Sequence, residues 1–85
     1  MKYRVNYNLQ LVVDQRKCDC KREPAHCHVT RNGTRVAQVW LDSMLIESGH
    51  SLDRNEIDLV LAAVRENRYE LKREYEYNAE HGADY

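Results

Sequence analysis

Between Tyr3 and Val13 the apolar residues fall on odd positions, Tyr3, Val5, Tyr7, Leu9, Leu11 and Val13, while Lys2, Arg4, Asn6, Asn8 and Gln10 occupy most of the even ones. A period of two marks a β-strand, because successive side chains leave the backbone on opposite faces. The stretch predicts one long, half-buried strand over residues 3–13 whose odd face meets a core. A charged, aperiodic segment follows and reads as a loop over 14–25.

The next two strand-forming runs flank Asn32-Gly33, a dipeptide suited to the positive φ angles of a tight turn, and predict an antiparallel hairpin over residues 26–41. Its second arm, Arg35-Val36-Ala37-Gln38-Val39-Trp40-Leu41, lacks clean alternation, so its buried face does not follow from the pattern. Ser43 to Ile46 adds a short strand or turn. A helix over residues 54–78 is announced by Asp53 and Glu56, three residues apart as a capping box requires, with Leu52 and Ile57 placed as a hydrophobic staple. Ile57, Val60, Leu61, Val64, Leu71 and Tyr75 form its apolar stripe, expected to lie across the sheet. The expected architecture is α+β: a small antiparallel sheet of three to four strands with one long C-terminal helix packed on one face, in a single domain over residues 1–85.

Length and charge bound the function. A chain of 85 residues buries only about 60% of its unfolded surface, so its core is compact. With 42% apolar and 32% charged residues it reads as a folded soluble domain. No apolar run nears the roughly 20 residues of a membrane span and no signal-peptide pattern opens the chain, so no membrane partner and a cytoplasmic location are expected. The formal charge of −1 argues against coating nucleic acid by bulk attraction. Cys18, Cys20 and Cys27 are odd in number and read as reduced thiols rather than a disulfide scaffold.

The chemistry concentrates in Glu23-Pro24-Ala25-His26-Cys27-His28-Val29. On a strand, His26 and His28 project from one side and Cys27 and Val29 from the other, which makes the two imidazoles neighbours. Arg68 stands out too. At about 100° per residue it lies roughly 20° from Ile57, within the apolar stripe, and so either extends its head to water or meets acceptors beneath the helix.

Three readings use these residues. In the structural one, His26 and His28 tie the hairpin to Glu66, Asn67 or Arg68 of the helix as a polar network that fixes register. In the nuclease one, His26 and His28 divide proton removal from proton donation and Arg68 neutralises a phosphate, supported by Tyr75 or Asp42, with no metal needed. In the third, Cys18, Cys20, His26 and His28 bind zinc, although Cys18-x-Cys20 is tighter than the usual ligand spacing and Cys27 faces away from the imidazoles. The structural reading leads, and no cofactor is implied. The mixed acidic and aromatic tail from Arg73 to His81 reads as a solvated helix end, and neither His50 nor His81 is given a role.

Glu23, Pro24, His26, His28, Val29, Gly33, Trp40, Leu41, Asp42, Glu56, Glu66, Asn67, Arg68, Leu71 and Tyr75, in that order and spacing, resemble a family of small bacterial proteins, the domain of unknown function numbered 4160. The chain departs from that pattern at Ala25 and Ser43, where proline is usual, and its three cysteines lie outside it. The resemblance implies a component of a toxin-antitoxin-like or mobile-element gene pair. The expected function is therefore an interaction module whose partner is a protein, or else a nucleic acid; the ribonuclease and zinc-stabilised readings stand as alternatives.

Overall fold

The computed structural model describes residues 2–6, 8–13 and 24–81. It is an α+β fold: strands β1 (Lys2–Arg4), β2 (Leu9–Val12), β3 (His26–Arg31), β4 (Thr34–Trp40) and β5 (Leu45–Ile46), then helix α1 (Arg54–His81). The strands form one antiparallel sheet in the order β1-β2-β3-β4-β5. The expected loop at 14–25 lies outside the described residues except for Pro24 and Ala25.

The alternation over residues 3–13 belongs to two strands, not one. Asn6 breaks it: its Oδ1 accepts the backbone N–H groups of Asn8 at 3.0 Å and Leu9 at 2.8 Å, and Val5 N–H donates to the Leu9 carbonyl at 2.9 Å. An asparagine side chain that satisfies backbone donors two and three residues on stabilises a turn against an extended strand. Parity survives the reversal because Tyr3 pairs with Leu11, so the odd residues of both strands share a face. That split, together with β5, explains why the sheet has five strands rather than three or four.

The Asn32-Gly33 turn forms as expected, with φ of 52° and 85°. Beyond it β4 carries a bulge. Thr30 pairs with Arg35 but Val29 pairs with Ala37, leaving Val36 as an extra residue. A one-residue shift reverses which side chains face the core. Because of Val36, Val39 pairs with Cys27, while Gln38 and Trp40 pair with His28 and His26.

Leu9, Leu11, Cys27, Val29 and Val39 are fully buried on one face and form a single cluster with Val60, Val64, Leu71 and Tyr75 of α1. The helix therefore covers that face, as its stripe predicts. Its start is fixed by a reciprocal capping box: Glu56 N–H donates to Asp53 Oδ1 at 2.8 Å and Asp53 N–H to Glu56 Oε1 at 3.0 Å. The same Oε1 accepts Arg31 Nη2 at 2.6 Å, which anchors the helix start to the end of β3. These bonds hold the Glu56 carboxyl below its ordinary range, the Asp53 backbone bond most strongly and Arg31 next. No helix among the described residues is long and apolar enough to cross a membrane.

Candidate functional site

His26 and His28 share one side of β3, as strand geometry requires, with ring centroids 5.2 Å apart and planes nearly perpendicular. Both are buried, at 2% and 8% exposure. The His26 ring also meets Trp40 at 5.5 Å and Tyr75 at 5.3 Å, both edge-on. Its Nδ1 lies 2.9 Å from the Pro24 carbonyl. A carbonyl only accepts, so Nδ1 carries the proton and the ring is fixed by its own backbone two residues upstream.

Each neighbour arrives by a different route. Trp40 is brought opposite His26 by the Val36 bulge, and Pro24 by the turn into β3. Tyr75 comes from the sixth turn of α1, where the helix passes the end of β3 at which His26 sits. Edge-to-face rings of this kind contribute about 0.5–1.5 kcal/mol each beyond their buried area. The cluster thus clamps hairpin, incoming chain and helix together at one end of the sheet.

The other expected site residues go elsewhere. Arg68 Nη2 donates to the Asp42 carbonyl at 2.9 Å, and Lys72 Nζ pairs with Asp42 Oδ1 at 2.7 Å. The hydrogen bond from Lys72 is the main reason the Asp42 carboxyl is held below its ordinary range. Arg68 therefore runs over the end of the core and spends its charge on the β4–β5 turn. Asn67 Nδ2 donates within the helix, to the Ala63 carbonyl at 2.9 Å, and Glu66 is exposed. Of the five residues in the proposed network, the contacts above join His26 to His28, and Tyr75 of the helix packs on His26.

Cys18 and Cys20 lie outside the described residues. Cys27 is fully buried on the opposite face, where removal from water pushes its thiol up to about 12. Among the described residues no group of three or more His, Cys, Asp or Glu side chains is arranged to hold a metal ion.

Beside the histidine clamp lies a hollow of about 320 Å³ lined by Pro24, Ala25, Trp40, Asp42 and Ser43. Leu45, the register partner of Trp40 on edge strand β5, stands next to it and is 64% exposed. Sequence reasoning did not single out this apolar corner. Trp40 and Pro24 were visible as residues, but their juxtaposition depends on the bulge.

The model of a family described as a domain of unknown function, DUF4160, matches residues 17–76, more than half of the chain. No curated protein and no solved structure matches it.

Proposed function

The chain belongs to the DUF4160 family, and we propose that it works as a non-enzymatic interaction module that binds a partner protein, as a component of a toxin-antitoxin-like or mobile-element gene pair. The observation that carries this reading is the apolar corner: Trp40, Pro24 and Ala25 line an open hollow beside exposed Leu45, on a two-residue edge strand. Small folded domains rarely leave a large aromatic, a proline and an exposed leucine contiguous without a use for them, and aromatic anchors in a pocket are what concentrates binding energy at protein interfaces. The histidines serve this module as a clamp that holds Trp40 and the incoming Pro24 segment in place.

Burial supports that assignment over catalysis. A general acid or base has to reach its substrate, whereas His26 is almost closed to solvent and its Nδ1 is engaged by Pro24. Arg68, the expected phosphate ligand, is directed at the Asp42 carbonyl. The formal charge of −1 favours a protein over a nucleic acid as partner.

The test is recovery of a specific partner from the native cell by the tagged chain and by two variants at exposed leucines. Leu45→Glu, in the corner, abolishes recovery, while Leu59→Glu, on the helix, leaves it intact. Equal recovery by both variants, or no partner for the native chain, refutes the reading.

A further inference from the structure

A second cavity lies on the histidine side of the sheet, at the outer edge of β4. After β5 the chain follows β4, with Glu47 N–H donating to the Gln38 carbonyl at 2.8 Å. It then departs and returns only at Ser51, whose N–H donates to the Val36 carbonyl at 3.0 Å. Ser48, Gly49 and His50 loop out between these two bonds, around Gly49 at φ 84°. Opposite this excursion stands the Val36 bulge. The bulge, on the β3 side of β4, and the excursion, on its other side, border a space of about 220 Å³, with His28, Arg35 and Gln38 on one wall and Glu47, Ser48 and His50 on the other. Bulges re-aim side chains and concentrate beside functional sites.

We propose that this cavity binds a small oxyanion of the phosphate or phosphate-monoester class. The polar side chains that line it include several donors: the Arg35 guanidinium, the Gln38 amide, the Ser48 hydroxyl and the His50 imidazole. His50 is a donor of known orientation. Its Nδ1 accepts the Leu52 N–H at 3.1 Å, so the proton sits on Nε2, the nitrogen left to serve a ligand. Planar Arg35 suits the oxygens of a phosphate group. Glu47 is the one purely accepting side chain, and its carboxylate weakens anion binding. At about 220 Å³ the space is smaller than the roughly 300–1,000 Å³ of sites for drug-sized ligands, which suits one small charged group. The inference is independent of the apolar corner, which lies at the end of the sheet by Trp40.

The test is a backbone-amide chemical-shift titration of the whole chain with inorganic phosphate, repeated with methyl phosphate and with methylammonium. Saturable shifts at Ser48, Gly49 and His50 are expected at millimolar phosphate. Arg35→Gln weakens binding about tenfold, the loss expected when a charge-assisted bond is removed, while Glu47→Gln tightens it. Both residues are exposed, so unchanged melting temperatures verify that the variants fold. Equal binding of methyl phosphate identifies esters as ligands, and its failure beside bound phosphate identifies the free ion. Lack of saturation, undiminished binding by Arg35→Gln, or the same shifts with methylammonium overturns the proposal.

Discussion

Replacing His26 with alanine separates a clamp from a catalyst. The substitution removes the hydrogen bond to the Pro24 carbonyl, about 1 kcal/mol, and the edge contacts to Trp40 and Tyr75, about 0.5–1.5 kcal/mol each. The total is about 2–4 kcal/mol, before any further loss from the vacated space. In a domain of this length each kcal/mol moves the melting temperature by about 4–8 °C, so His26→Ala melts about 10–30 °C below the native chain. His26→Phe keeps a ring against Trp40 and Tyr75 while giving up the bond to the Pro24 carbonyl, about 1 kcal/mol, and so loses less than His26→Ala. Thermal unfolding followed by circular dichroism reads both. The reasoning fails if His26→Ala melts within a few degrees of the native chain. It fails equally if the native chain cleaves RNA and His26→Ala abolishes cleavage with the melting temperature intact, because the ring is then chemical rather than structural.

Gly33→Ala places a Cβ at φ 85° with no heavy atom within 4 Å, so only backbone strain opposes it; a loss of about 1–2 kcal/mol in denaturant unfolding is expected. Asp53→Ala removes the acceptor for Glu56 N–H and lowers stability by about 1 kcal/mol in the same assay. The carboxyls of Glu56 and Asp42 titrate below their ordinary range in the folded chain, so they stabilise it above that range and lose this contribution as pH falls through their lowered values. Glu56→Gln accordingly flattens the acid limb of the stability-pH profile. Cys27 behaves oppositely: its raised thiol stabilises the fold below the ordinary cysteine value and loses that contribution as pH rises toward about 12. Thiol-reagent labelling at Cys27 therefore follows unfolding at neutral pH.

What the sequence revealed and what it hid divide along one line, local against tertiary. The capping box at Asp53 and Glu56, the turn at Asn32-Gly33 and the shared side of His26 and His28 depend on residues at most three apart, and each formed as the spacing implied. The split of residues 3–13 was hidden because a turn that preserves parity leaves the alternation unchanged. The bulge hid more. Counted back from the Asn32-Gly33 turn without it, Val39 pairs with His26 and Gln38 with Cys27, which puts an amide in the core and a valine among the imidazoles. Val36 corrects both at once, and so the uneven alternation of β4 was itself the signal of a bulge.

That correction connects the fold to its surface. The shift that buries Val39 against Cys27 is the shift that sets Trp40 beside His26, opens the hollow next to Leu45 and leaves the Val36 carbonyl for Ser51. Arg68 follows from the same rearrangement, because the turn after Trp40 presents the Asp42 carbonyl where its guanidinium emerges from the apolar stripe. Deleting Val36 therefore does more than shorten a strand. It forces either Val39 or Trp40 onto the wrong face, and the combined loss of core packing and clamp contacts exceeds that of His26→Ala. A Val36 deletion that melts above His26→Ala would mean that the bulge is incidental and the clamp assembles without it.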